Sequence, residues 1–255
     1  MNGTTDNVKT ATRALACLDL TELGDGCTPQ AAASLVARAQ TPYGCVAAVC
    51  LWPQFVSQTA ARLRGSGVRL ATVINFPAGG EDIERAVEDT AEAIRDGADE
   101  IDLVIPYKAL MRGDERVVRD MIGAVRDQIF GARRLKAILE TGELRQGDLI
   151  RRAGEIAIAA GAHFLKTSTG KTTISATPEA ARVMLETIRA SGVKIGFKAS
   201  GGVRTLADAA LYLRLVDDIM GPDWASPATF RFGASGLLDA LLEALGDARP
   251  SGDNG

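Results

Sequence analysis

A single histidine, His163, stands in 255 residues, which leaves zinc chemistry without its common nitrogen ligand and acid–base chemistry without its usual proton carrier. The four cysteines, Cys17, Cys27, Cys45 and Cys50, crowd into the first fifth of the chain. Cys45 and Cys50 lack a second pair to complete a metal site, and a chain with 46% hydrophobic residues needs no disulfide framework. No metal is expected, and reduced thiols in the cytoplasm are. Aromatics make up only 5%, with Trp52 and Trp224 isolated, so no stacking platform for nucleic acid is present. A formal net charge of -3 gives no pull toward nucleic acid or membrane surfaces. No apolar run approaches the roughly 18 residues of a membrane span. The opening Met-Asn-Gly-Thr-Thr-Asp-Asn lacks a basic-then-apolar export signal. Walker loops, Gly-x-Ser-x-Gly elbows and Gly-x-Gly-x-x-Gly turns after a strand are missing too, which sets aside NTPase, hydrolase and dinucleotide readings.

What is present is a rhythm. Short apolar runs at 17–20, 46–51, 70–74, 100–105, 135–140, 163–166, 194–198 and 230–234 read as buried strands. Between and after them, 29–40, 54–64, 81–96, 115–129, 148–160, 178–190, 206–219 and 236–245 carry helical period and good helix formers. Eight strands each followed by a helix predict an α/β fold, one (β/α)8 barrel over 1–247 with a short N-terminal helical extension and a disordered tail at 248–255. Thr28-Pro29 and Thr177-Pro178 place a capping hydroxyl before proline at the first helical position.

In such a barrel the site lies at the carboxyl ends of the strands. Asp19 is expected to end strand one, Asp102 to lie within strand four, Glu140 to end strand five, and Lys166 and Lys198 to end strands six and seven. Neighbouring strands run about 4.8 Å apart, so lysines at matching heights bring two ammonium groups together. Burial and a like charge both favour the neutral amine, which is a nucleophile for carbonyls. Spacing alone does not say which lysine attacks. A structural ion pair between Asp102 and either lysine is the alternative, and Asp19 and Glu140 can equally cap turns. His163, at the start of strand six, falls at the opposite end from the mouth.

Two glycine turns suggest an anion site. Gly201-Gly202-Val203-Arg204 follows strand seven and Gly233-Ala234-Ser235-Gly236 follows strand eight, each opening a helix whose N–H groups can hold phosphate. Arg204 either adds charge there or pairs with Asp208. Lys171, in a Gly-Lys turn, is either a ligand contact or a solvated loop lysine.

Leu18-Asp19-Leu20-Thr21, Ala71-Thr72-Val73-Ile74-Asn75-Phe76-Pro77, Gly97-Ala98-Asp99-Glu100-Ile101-Asp102, Glu140-Thr141-Gly142-Glu143-Leu144, Phe164-Leu165-Lys166-Thr167-Ser168-Thr169-Gly170-Lys171, Gly196-Phe197-Lys198-Ala199-Ser200-Gly201-Gly202 and Arg231-Phe232-Gly233-Ala234-Ser235 resemble the deoxyribose-phosphate aldolases. The likeness runs from about residue 13 to residue 245. It implies reversible cleavage of 2-deoxy-D-ribose 5-phosphate to glyceraldehyde 3-phosphate and acetaldehyde, with no cofactor and no partner beyond these small molecules; a homodimer is the assembly to test. By the resemblance Lys166 forms the Schiff base, Lys198 lowers its pKa and Asp102 serves a proton relay. Asp19, Lys171, Thr167 and Cys50 would line the substrate, and Gly170, Gly201, Gly202, Val203, Arg204, Gly233, Ser235 and Gly236 the phosphate. The sequence departs from the family pattern at Ala199-Ser200, where Pro-Ala is common, at Gly236, where a second serine is common, and at the end, where some members carry tyrosine. Another Schiff-base aldolase, or a silent sugar-phosphate-binding barrel, are the runner-up readings.

Overall fold

The computed structural model describes residues 2–246, and the tail expected at 248–255 lies outside the described residues. Eight parallel strands close into a barrel: β1 Leu18–Glu22, β2 Ala48–Leu51, β3 Arg69–Ile74, β4 Glu100–Val104, β5 Arg134–Ile138, β6 Phe164–Lys166, β7 Gly196–Ser200 and β8 Phe230–Ala234, with β8 pairing back to β1. Near-continuous burial along these strands reflects sheets covered on both faces, by helices outside and by a filled lumen inside.

The helices wrap the barrel in sequence order. α1 (Asn2–Ala16) is the expected extension and packs on α10 (Leu206–Met220) and α11 (Leu237–Gly246), tied down by Arg13 to Asp217 at 2.6 and 2.8 Å. The connecting helices are α2 (Pro29–Arg38), α3 (Val56–Leu63), α4 (Ile83–Arg95), α6 (Glu115–Arg126), α8 (Gly147–Ala159) and α9 (Pro178–Ser191). Two short helices, α5 (Tyr107–Met111) and α7 (Thr141–Leu144), interrupt loops too briefly to show a helical period. Thr28 and Thr177 cap α2 and α9 as expected, each hydroxyl accepting from a backbone N–H at 3.1 Å.

Three strand ends differ from expectation, and each moves a site residue. Asp19 is the second residue of β1, because the ladder to β2 continues through Glu22 and Leu51. Lys198 sits in the middle of β7, whose pairing with β8 carries on to Ser200 and Gly233. Glu140 falls two residues beyond β5 with left-handed φ 56°, at the start of α7.

His163 lies before β6, at the amino end of the barrel, where Nδ1 accepts from the Leu135 N–H at 2.9 Å. Burial, with Arg126 and Arg134 nearby, pushes its pKa from 6.5 down to about 4. The unfolded chain therefore takes up this proton first as pH falls, so stability present above pH 6.5 is lost progressively toward pH 4. We expect the urea midpoint to drop between pH 7 and pH 5, and His163→Gln to flatten that slope. Equal slopes in the two proteins would remove His163 as the cause.

Candidate active site

Strand alternation gathers the lumen's charges. Glu100 and Asp102, two apart on β4, face inward together, as do Lys136 on β5, Lys166 on β6, Lys198 on β7, Arg231 on β8 and Asp19 on β1; all are nearly or completely buried. The register sets Lys166 directly beside Lys198, and Lys198 beside Arg231. Asp102 is the hub: one carboxylate oxygen accepts from Lys136 at 2.7 Å, the other from Lys166 at 2.9 Å and Lys198 at 2.8 Å. Lys198 also donates to Asp19 at 2.6 Å. Below this layer Arg231 holds Asp19 at 2.5 Å and Glu100 at 2.9 and 3.1 Å, and Lys136 reaches Glu100 at 2.6 Å. Phe164 lies under the guanidinium at 5.7 Å, in space kept open by Gly196, where a Cβ would come within 2.3 Å of the ring.

The three lysines are unequally served. Lys136 contacts three carboxylates and Lys198 two, and these attractions outweigh burial and hold both above the ordinary lysine value. Lys166 contacts only Asp102, through an oxygen it shares with Lys198. Burial, aided by Lys198, lowers its pKa despite the pull of Asp102. Asp102 and Asp19 ionise well below the usual carboxylate range: burial would raise them, but the surrounding cations win. The geometry thus separates one loosely held amine at the mouth from two firmly held ones.

Other expected site residues fall around this centre. Cys50 is fully buried on β2 in an inner cluster with Leu23, Ala71 and Val73, and burial raises its thiol pKa. The Thr167 hydroxyl donates to Ser200 O and accepts from its N–H, which commits it to joining β6 to β7. Glu140 accepts from the Thr169 hydroxyl at 2.6 Å and braces the turn that carries Gly170 and Lys171; burial pushes its carboxyl up. Lys171 pairs with Asp25 at 2.7 Å and sits 5.9 Å over the Trp52 ring. A cleft of about 620 Å³ at this rim is lined by Lys171 and all the expected phosphate residues: Gly170, Gly201, Gly202, Val203, Arg204, Gly233, Ser235 and Gly236. Arg204 is exposed, and it is its backbone N–H, with that of Thr205, that Asp208 accepts, at 3.0 and 2.9 Å. Since α10 caps itself this way, anion donors are to be sought in the preceding Gly201-Gly202-Val203 turn.

Sequence reasoning missed Lys136, Glu100 and Arg231 as members of the site. The signal was present: Lys136 interrupts the apolar Leu135-Lys136-Ala137-Ile138, and Glu100 shares the inward parity of Asp102. Among the described residues no group of three or more His, Cys, Asp and Glu is placed to hold a metal ion. Nor is any described helix long and apolar enough to cross a membrane.

A parallel eightfold barrel with an underpaired buried lysine at its carboxyl mouth, beside a glycine-lined cleft, belongs to the class of barrels equipped for amine catalysis on carbonyl compounds. Residues 6–242 match the model of the DeoC/LacD family aldolases. The sequence is 55% identical over 238 residues to a deoxyribose-phosphate aldolase of Agrobacterium fabrum (strain C58), covering 93% of this chain and 92% of that one. A structure assigned to a deoxyribose-phosphate aldolase of Toxoplasma gondii ME49 superposes with a TM-score of 0.89 at 25% identity, covering 97% and 98% of the two chains. One so assigned from Coccidioides immitis gives 0.81 at 30% identity, covering 91% and 86%. The chain belongs to the DeoC/LacD aldolase family, and it is a lyase.

Proposed function

We propose that this aldolase reversibly cleaves 2-deoxy-D-ribose 5-phosphate to D-glyceraldehyde 3-phosphate and acetaldehyde through a Schiff base on Lys166. The observation that carries the residue assignment is the unequal pairing of the lumen lysines, which makes Lys166 the amine most easily deprotonated. Neutral Lys166 Nζ adds to the sugar aldehyde, and loss of water gives an iminium. The C3 hydroxyl gives its proton toward Asp102, and the C2–C3 bond breaks with its electron pair drawn into the iminium. Glyceraldehyde 3-phosphate leaves; the remaining enamine is protonated at carbon and hydrolysed to acetaldehyde. Asp102, ringed by ammonium groups, is too weak a base to store a proton, so the one taken from the C3 hydroxyl is passed on to the enamine carbon, while Lys198, already an ammonium, holds the carboxylate in place. The 55% identity to the Agrobacterium fabrum enzyme supports the substrate.

The glycine-lined cleft is the proposed phosphate end. Gly233 is unsuitable for testing this, since a Cβ there would come within 2.8 Å of the Lys198 stem and 2.6 Å of the Ser200 hydroxyl. Gly236 lines the same cleft, and a Cβ added to it would meet nothing within 4 Å. Gly236→Asp places a negative charge there, and KM for the phosphorylated sugar should rise about tenfold or more while KM for deoxyribose stays put. Equal losses on both sugars would remove the phosphate assignment. The four unpaired thiols support a cytoplasmic location. The homodimer is a matter for light scattering.

A further inference from the structure

The buried column in the barrel holds four cations, Lys136, Lys166, Lys198 and Arg231, against three carboxylates, Asp19, Glu100 and Asp102. Fully protonated, it carries one positive charge too many for a site so deeply buried. Losing one proton makes it neutral. Arg231 cannot be the donor, because guanidinium stays charged in proteins. We propose that Arg231 and Glu100 are positioning residues that set the proton count of this column, and thereby keep Lys166 neutral for attack. The proposal rests on the reading of Lys166 as the Schiff-base lysine.

Arg231 and Glu100 sit at the far end of the lumen. They are 4% and 2% exposed and border a cleft of about 380 Å³ on the amino-terminal side, so neither is placed to touch a substrate in the carboxyl mouth. Their effect must travel through shared partners. Arg231 holds one oxygen of Asp19 while Lys198 holds the other; Glu100 holds Lys136, which in turn occupies one oxygen of Asp102. Lys166 is left with the remaining oxygen of Asp102, already taken by Lys198. The groups facing Lys166 are Asp102 from β4, Lys198 from β7, Cys50 from β2 and Glu140 from the turn after β5. Burial keeps the Cys50 thiol protonated, and Glu140 hydrogen-bonds to Thr169 and Thr172, outside the ion-paired column. The lowered pKa of Lys166 beside raised values for Lys136 and Lys198 fits this division.

The count makes opposite predictions for two residues that touch each other. Arg231→Met leaves three cations against three carboxylates, so Lys166 retains its proton and the acidic limb of kcat/KM moves up by about one pH unit or more. Glu100→Gln leaves four against two, and the limb moves down by a similar amount. Arg231→Lys keeps the charge and should keep the limb, and the double variant Glu100→Gln/Arg231→Met should return it close to wild type. A merely structural pair would lower activity at every pH without opposite shifts. Should Arg231→Met fail to fold, Glu100→Gln decides by itself, since it keeps volume and hydrogen bonding; an unmoved or raised limb overturns the proposal. Trapping wild type with acetaldehyde and borohydride separates the two claims. An adduct on a residue other than Lys166 sinks the Schiff-base assignment, whereas an adduct on Lys166 with limbs that do not move in opposite senses sinks the proton count alone.

Discussion

Lys166→Ala is expected to abolish covalent trapping and to lower cleavage of 2-deoxy-D-ribose 5-phosphate by about 10⁴-fold or more. In the parent chain, acetaldehyde followed by borohydride should leave one two-carbon group as a secondary amine, and peptide mapping should place it on Lys166. The expectation follows from position. Lys166 closes β6 at the carboxyl mouth, it is 2% exposed, and its single carboxylate contact is shared. Lys136 and Lys198 are fully buried and each bound to two or more carboxylates, so neither can move toward an incoming aldehyde without giving up two or more buried ion pairs. An adduct on Lys198, or trapping that persists in Lys166→Ala, would reverse the roles assigned to the two lysines. The family membership would stand.

The barrel was legible because its signals are local. Apolar runs, capping threonines and helix periods repeat along the chain, and every expected strand and connecting helix has its counterpart. The mouth was also legible: Lys166, Lys198 and Asp102 do meet, because the strand-end rule and inward parity suffice to bring them there. What escaped was the depth of the charged column. Whether Asp19 closes a strand or lies inside it depends on the ladder it makes with β8 and β2, which are distant in sequence. Lys136 looked like a strand residue among others; only closure of the barrel sets its amine against Asp19, Glu100 and Asp102. The family resemblance makes Thr167 a substrate residue, and its hydroxyl is engaged by the β7 backbone. Such assignments depend on long-range pairing, which composition and period do not carry.

Lys198→Met should move the acidic limb of kcat/KM upward and leave a slower enzyme that is still trapped on Lys166 when the pH is raised. Lys198 is fully buried and donates to Asp19 at 2.6 Å and to Asp102 at 2.8 Å. Its removal subtracts the ammonium that repels a proton on Lys166, and it also gives Lys166 sole use of the Asp102 oxygen the two lysines share. Both changes favour protonated Lys166, and its pKa rises toward the ordinary lysine value of about 10.4. As that value climbs above the assay pH the neutral fraction of Lys166 falls, and the rate near pH 7 falls with it. The loss should shrink steadily as pH increases, since deprotonated Lys166 is intact. Asp19 keeps its contact to Arg231, which limits the harm to folding; Met retains the unbranched stem. A loss of equal size at every pH would mean that Lys198 acts in proton transfer alone, with no hold on the charge of Lys166.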